Sequence, residues 1–301
     1  MTNVYERIDE NKRKSWLIMI LFVLFTVLVI WLFQGVLGFG RGWLIMALVF
    51  SVASSTGSYF YSDRIILSLS KARPANRKTD FNFYTTVENL SMASQIPMPK
   101  LYVIDDSAPN AFATGRDPKH AVVCATTGLL DKLNRTELEG VVAHELTHIR
   151  NFDTRLMTIV TVLIGIIALL ADWFMRSMWF GHGRDDRDNR GSGLMIIIAI
   201  TAAILSPIIG QLIQLAISRR REFYADAGSA MLTRQPGGLI SALKKISEDR
   251  EPLEVANRAT AHLYIINPFK GRNQGNVSWF VNLFNTHPPI IDRIKALEQT
   301  V

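Results

Sequence analysis

The sequence alternates between long apolar runs and stretches in which charged and apolar residues are mixed. No charged residue occurs between Lys14 and Arg41, and the next run, residues 42–62, is also uncharged. Because a helix that crosses a bilayer needs about 20 apolar residues, these runs predict transmembrane helices at residues 16–39 and 43–61. The glycines around position 40 predict a tight turn that joins them as a hairpin. A signal peptide fits less well, because the first run is too long for an h-region and a second run follows at once.

Two further apolar runs predict a second hairpin, with spans at residues 156–175 and 194–217. Asp172 interrupts the first of these runs near its end, so a buried or re-entrant helix is the alternative there. Pro207 predicts a kink in the last span. The polar, glycine-rich residues 181–193 are expected to form the loop between the two spans.

The sequence between the two hairpins has the mixed composition of a globular domain. It predicts a helix at residues 81–95, followed by three short strands that we interpret as a small antiparallel sheet. The strands are expected near residues 101–104, 111–114 and 121–126. Thr136 and Glu139 have the spacing of a capping box and predict the start of the next helix.

These patterns predict a mainly α membrane protein with four transmembrane helices and a cytoplasmic α+β domain. The expected parts are an N-terminal tail and hairpin (residues 1–62), an α+β part (63–155), a second hairpin (156–218) and a helical C-terminal part (219–301).

The charged residues indicate an orientation in the membrane. Lysine and arginine outnumber aspartate and glutamate by 33 to 26. Such an excess suits nucleic-acid binding, but in a membrane protein it is more often found in the cytoplasmic flanks of the spans. Twelve basic residues flank the spans on the side of both termini and of residues 63–155, against five on the other side. We therefore expect that side to be cytoplasmic, with the lipid bilayer and no nucleic acid as a partner.

A His-Glu-x-x-His motif lies in the predicted helix after the sheet, at His144, Glu145 and His148. At about 100° per residue, positions four apart lie on one helix face, so both imidazoles can bind the same metal ion. Glu145 lies beside that face, where it can reach a water molecule on the metal. Two surface histidines that flank a solvated glutamate are the alternative interpretation.

A catalytic zinc site has three protein ligands and leaves one position to water. The candidates for the third ligand are Glu222 and Asp226, which lie one helical turn apart just after the fourth predicted span. An even number of membrane crossings between His148 and Glu222 returns the chain to the same side. The metal is therefore expected just above the cytoplasmic membrane surface.

Three blocks of sequence resemble the HtpX family of integral-membrane zinc metallopeptidases, relatives of the CAAX prenyl endopeptidases. They are residues 143–153 around the His-Glu-x-x-His motif, residues 221–226, and residues 286–294 with Thr-His-Pro-Pro. The resemblance implies a zincin-like metalloprotease domain and a location in the bacterial plasma membrane with the active site on the cytoplasmic side.

The resemblance also implies roles for single residues. His144, His148 and Glu222 would bind one zinc ion per chain, and Glu145 would be the general base. Asp226 would accept the second ring N–H of a histidine ligand. His287 and Arg293 would face the active site and stabilise the oxyanion, whereas His287 by itself reads as a structural histidine before a short helix.

Other residues near the motif have positioning roles in this interpretation. Asn110, Ala111, Phe112 and Ala113 look like the family's edge strand, to which an extended substrate adds by main-chain pairing. An ordinary strand of the sheet fits the same residues. Asn151 and Asp153 are expected to orient or cap the metal-binding helix without touching the metal.

Together these features predict a zinc endopeptidase that cleaves misfolded or membrane proteins in proteolytic quality control, with membrane protease regulators as possible partners. One alternative is a prenyl-protein endopeptidase that cuts lipidated C-terminal peptides. Another is a non-enzymatic membrane scaffold with a structural metal, which would need a fourth protein ligand.

Overall fold

The computed structural model describes residues 4–37, 42–180, 219–256, 260, 263–266, 268 and 288–299. The helices are α1 (Val4–Leu37), α2 (Gly42–Leu69), α3 (Phe81–Ser94), α4 (Thr127–Lys132), α5 (Arg135–Arg150), α6 (Asp153–Phe180), α7 (Arg219–Thr233), α8 (Pro236–Glu248) and α9 (Ile290–Glu298). The strands are β1 (Arg73–Pro74), β2 (Lys100–Ile104), β3 (Ala111–Gly115) and β4 (Ala121–Thr126).

Helices α1, α2 and α6 pack against one another. Two residues separate α6 from the end of α5, the helix that contains the His-Glu-x-x-His motif. Ile18 and Phe22 of α1 are buried against Leu156 and Ile159 of α6. The outer surfaces of α1 and α2 carry exposed large apolar side chains such as Leu24 and Ile45, as expected for helices that face lipid.

One helical segment, Leu44–Leu69, has both the length and the hydropathy of a membrane span within the described residues. The first predicted span lies in α1 up to residue 37, where α1 ends, and α1 begins twelve residues before residue 16, the start of that span. The third predicted span lies inside α6. The fourth predicted span, the turn at residues 38–41 and the loop at residues 181–193 lie outside the described residues. The arrangement of four spans stays a prediction.

The sheet is mixed, so the prediction of an antiparallel sheet is wrong for one pair of strands. Strand order is β1-β2-β4-β3; β4 is antiparallel to β3 but parallel to β2. All six residues of β4 are buried, and the strand takes a central position. Strand β3 follows β2 in the chain but does not pair with it, because β4 lies between them. Strand β3 therefore lies at the edge of the sheet.

Helix α5 begins earlier than the Thr136–Glu139 spacing predicts. Its N-cap is Asn134, whose side chain accepts from the Glu137 backbone N–H at 3.0 Å while the Glu137 carboxylate accepts from the Asn134 N–H at 2.8 Å. Glu137 is buried and also binds Lys245 of α8 at 2.8 Å. Glu139 instead pairs with Arg135 at the surface. The capping box that forms is therefore that of Asn134 and Glu137, in which Glu137 also connects α5 to α8.

Helix α5 lies at the centre of the globular part, in contact with α3, α7, α8 and β3. Two glycines permit its closest contacts. A Cβ at Gly140 would lie 2.6 Å from the Leu239 backbone nitrogen of α8, and a Cβ at Gly228 of α7 would lie 2.5 Å from the Thr147 side chain. Ser229 of α7 donates to the Gly140 carbonyl at 2.7 Å. The helix that carries the His-Glu-x-x-His motif is thus held on several sides.

Candidate metal centre

Three buried side chains converge between α5 and α7. The Nε2 atoms of His144 and His148 are 3.1 Å apart. The Glu222 carboxylate approaches both, with Oε2 3.7 Å from His144 Nε2 and Oε1 3.5 Å from His148 Nε2. Within the described residues, His144, His148 and Glu222 form a group that could hold a metal ion, with their potential ligand atoms all within 4.8 Å of one another.

Each histidine is held from behind by a carboxylate. His144 Nδ1 lies 2.9 Å from Asp226 Oδ1, and His148 Nδ1 lies 3.0 Å from Asp153 Oδ2. A carboxylate accepts the Nδ1–H, which fixes the tautomer in which the Nε2 lone pair is free to bind a cation. Both Nε2 lone pairs then point into the same space.

This arrangement fits a zinc ion. Zinc–nitrogen bonds of about 2.0–2.1 Å in a tetrahedron put ligand atoms roughly 3.3–3.4 Å apart, close to the separations found here. Two imidazoles and one carboxylate are also a ligand set that catalytic zinc uses. Two lone pairs that face each other at 3.1 Å repel unless a cation lies near them, so the histidine pair itself favours a bound metal.

A small enclosed cavity of about 10 Å³ adjoins the three ligands. A cavity of this size holds about one water molecule. Its lining consists of Ala113, His144, Glu145, His148, Thr154, Met157, Glu222, Leu263 and Ile265. The three candidate ligands and the candidate base Glu145 therefore border the same small cavity.

Glu145 is fully enclosed beside this cavity. Its burial raises the pKa of the carboxyl to about 7, although the neighbouring His148 and Arg293 lower the pKa. Burial also lowers the pKa of His144 to about 4, so this imidazole is neutral at pH 7 and available as a ligand. For His148, burial opposes protonation, but Asp153 and Glu222 raise its pKa well above the usual value. A metal ion bound at this Nε2 atom would take the place of that proton.

Arg293 reaches the site from α9 and lies behind His144. Its guanidinium donates to both oxygens of Asp226, at 2.8 and 2.6 Å, and to the Ile265 carbonyl at 3.2 Å. One nitrogen is also 3.6 Å from Glu222 Oε2. The side chain is wholly buried. The positive charge thus compensates the two carboxylates that surround His144.

Three further residues were expected at or near the site: Asn151, Asp153 and His287. Asn151 is the C-cap residue of α5, and its backbone N–H donates to the Thr147 carbonyl at 3.0 Å. His287 lies outside the described residues. Asp153 lies closer to the site than the sequence suggested, because it contacts His148, one of the three candidate ligands. A carboxylate five residues after His148, just past the helix end, is the signal that could have indicated this contact.

Strand β3 passes beside the metal motif at the edge of the sheet. The Ala111 carbonyl accepts from the Ile265 N–H at 2.9 Å, and Asn110 Nδ2 donates to the Ile266 carbonyl at 3.0 Å. The Phe112 ring lies edge-on to Tyr264, with ring centroids 5.2 Å apart. Residues 263–266 therefore lie along the strand edge at which a substrate was expected.

Comparisons with known proteins agree with this geometry. Residues 78–301 match the model of peptidase family M48. The chain is 45% identical to "Protease HtpX homolog" of Dictyoglomus thermophilum, covering 97% of this chain and 93% of that protein. It is 44% identical to the protein of the same name from Thermoanaerobacter pseudethanolicus (98% and 97%) and 43% identical to that from Ligilactobacillus salivarius (98% and 99%).

A solved structure, that of S. mikatae Ste24p, shares the fold with a TM-score of 0.50 and 19% identity. The match covers 95% of this chain and 67% of that one. The mostly helical architecture with a small sheet is thus of the Ste24 type.

Proposed function

Because the chain belongs to peptidase family M48, as one of its HtpX members and hence a membrane-bound metalloprotease, we propose that His144, His148 and Glu222 hold one zinc ion per chain for peptide-bond hydrolysis. The observation that carries this proposal is the convergence of the three ligand atoms, with both rear ring nitrogens held by carboxylates. Asp226 and Asp153 then orient the two histidine ligands.

Zinc in such a site acts as a Lewis acid that lowers the pKa of water to about 7 and polarises a carbonyl group. The chain's own contribution to proton transfer is Glu145, which accepts a proton from the attacking water and passes it to the leaving amine. Glu145 and Ala113 line the same cavity, so the carboxylate lies next to strand β3. His287 stabilises the oxyanion, a role supported by the resemblance of its Thr-His-Pro-Pro sequence.

For Arg293 we propose a positioning role in place of the oxyanion role that the resemblance implies. Its guanidinium is engaged by Asp226, which contacts Nδ1 of His144 rather than the Nε2 atom that would bind the metal. From there it holds Asp226 against the imidazole and lies near Glu222. Asn151 acts at the end of α5, where it caps the helix that carries both histidines.

An extended peptide substrate is proposed to pair with the edge of β3 along Asn110, Ala111, Phe112 and Ala113. The position of β3 at the end of the strand order supports this, and so does the position of Ala113 beside Glu145 in the cavity lining. The substrates are proposed to be misfolded or membrane proteins in quality control. The family and the apolar outer faces of α1 and α2 support a site that acts close to lipid.

The likeness to Ste24p concerns the fold, so it does not favour cleavage of prenylated proteins over cleavage of misfolded or membrane proteins.

The experiment for the proposal is removal and return of the metal. The full chain, purified in detergent, is expected to contain one zinc ion and to cleave a reduced, unfolded protein. A chelator should abolish cleavage, and one equivalent of zinc, but not magnesium, should restore it because magnesium prefers oxygen ligands. Undiminished cleavage by the zinc-free protein would contradict the proposed metal chemistry.

The proposed topology has four spans in a bacterial plasma membrane, with both termini and residues 63–155 in the cytoplasm. It predicts that a cysteine at Ser192, in the 181–193 loop, reacts with an impermeant thiol reagent in intact cells. A cysteine at the exposed Lys244 should react only after permeabilisation. The native Cys124 is fully buried and is first changed to serine. Labelling of Lys244→Cys from outside would overturn the orientation.

A further inference from the structure

The first helix reaches the metal centre through a buried amide. Asn11 lies in the first turns of α1 and is 5% exposed. Its Nδ2 donates to Asp153 Oδ1 at 2.8 Å and to the Asn151 carbonyl at 2.9 Å. Both partners lie at the junction of α5 and α6, about 140 residues further along the chain. A buried amide with two such acceptors is fixed in position.

The Asp153 carboxylate that accepts from Asn11 also contacts His148. Asp153 uses Oδ1 for Asn11 and Oδ2 for His148 Nδ1. Arg221 Nε also lies 3.6 Å from Oδ1. A carboxylate can rotate about its bond to the chain, and a donor on Oδ1 opposes that rotation. Asn11 is thus two hydrogen bonds away from the His148 imidazole and restrains the group that orients it.

Neighbouring residues of α1 stabilise the same junction. Phe152, between α5 and α6, has a left-handed backbone with φ of 59°, which is uncommon for a residue other than glycine. The Lys12 ammonium lies 4.7 Å from the centre of its ring, within range of a cation–π interaction. Further along α1, Ile18 and Phe22 pack on α6. The start of α1 therefore contacts the turn that sets Asp153 relative to His148.

We propose that Asn11 is a positioning residue for the metal centre, which makes zinc binding depend on the first helix of the chain. This helix lies outside residues 78–301, the part that matches the peptidase family. The inference rests on the proposed function, because it takes His148 as a zinc ligand. Asn11 acts through Asp153 by keeping its carboxylate in the plane that His148 needs.

Zinc affinity of the full chain in detergent tests this role, with competition by a fluorescent chelator as the measurement. Replacement of a group that orients a ligand costs about 10–100-fold in metal affinity. Asn11 is one hydrogen bond further from the metal than Asp153, which contacts His148 directly. Asn11→Leu is therefore expected to weaken zinc binding about tenfold, at the lower end of that range. Lys14→Leu is the matched control on the same helix, since Lys14 pairs with Glu10 instead, and its affinity should equal that of the parent.

Two further readouts separate positioning from a general loosening of the fold. The absorption bands of the cobalt-substituted protein should shift in Asn11→Leu, because they report the ligand field of His148, and should stay unchanged in Lys14→Leu. Asn11→Asp places a second carboxylate against Asp153 and should also weaken binding. Exchanging the groups, in Asn11→Asp with Asp153→Asn, restores one amide and one carboxylate and should recover part of that loss.

The outcomes distinguish the inference from the function on which it rests. If the parent binds zinc and Asn11→Leu binds it equally well with unchanged cobalt bands, Asn11 has no positioning role. If Asn11→Leu does not fold, the comparison of Asn11→Asp with the exchanged double variant decides, and absence of any recovery overturns the role. If the folded parent and Lys14→Leu both bind no zinc, the proposed metal site itself is wrong.

Discussion

Glu145→Gln is expected to lower kcat by about 10²–10⁴-fold, the usual contribution of general acid–base catalysis, while zinc stays bound. The amide has nearly the same shape as the carboxyl group but cannot accept a proton from the attacking water. His144, His148 and Glu222 are unchanged, so the three ligand atoms stay in place. The measurements are steady-state cleavage of an unfolded protein and zinc content of the same sample.

Glu139→Gln is the matched control for this substitution. Glu139 lies on the same helix and pairs with Arg135 at the surface, at 3.1 Å, so its replacement should change neither the rate nor the zinc content. Cleavage by Glu145→Gln at the parental rate would remove Glu145 from the mechanism. Loss of zinc from Glu145→Gln would instead indicate that Glu145 is needed to hold the metal.

Glu222→Gln is expected to weaken zinc binding by more than about 10²-fold, since loss of a group that merely orients a ligand already costs 10–100-fold. The substitution removes the negative charge among the three ligands and leaves two neutral imidazole donors. It also removes a carboxylate from the neighbourhood of Arg293, 3.6 Å away. Zinc content after dialysis against a weak chelator measures the effect, and cleavage should fall with the zinc content.

Glu248→Gln, on the exposed surface of α8, is the control for the loss of one negative charge. Its zinc content should equal that of the parent. The contrast between the two active-site variants is informative: Glu145→Gln is expected to be inactive with zinc, and Glu222→Gln inactive without it. A Glu222→Gln protein that retains zinc through dialysis would show that the third ligand is another residue.

The residues of the candidate metal centre could largely be identified from the sequence, because they come in pairs that are one helical turn apart. His144 and His148 lie on one face of α5, and Glu222 and Asp226 on one face of α7. The structure brings these two faces together, with Asp226 behind His144. Helical spacing is a local property, so the sequence contains it directly.

The strand pairing and the start of α5 depend on distant contacts, and local patterns did not determine them. Two overlapping capping-box spacings occur at the start of α5, Asn134 with Glu137 and Thr136 with Glu139. Their local chemistry is alike, and the ion pair of Glu137 with Lys245 distinguishes them. The order of the strands likewise depends on which strand is buried on both sides. The contact between Asn11 and Asp153 joins positions that no spacing rule connects.

The hydrogen bond from Ile265 to the Ala111 carbonyl has a consequence for selectivity if substrates pair with β3 as proposed. A peptide then competes with a segment of the enzyme's own chain for the same carbonyl. Its apparent Kd equals the intrinsic Kd divided by the fraction of molecules in which that segment has moved away. A long unfolded polypeptide presents many segments to the strand in turn, which raises their effective concentration there. Because the competition raises the apparent Kd of every peptide by the same factor, the larger number of segments gives extended, unfolded chains the advantage over short peptides. No pocket that recognises a particular sequence is required.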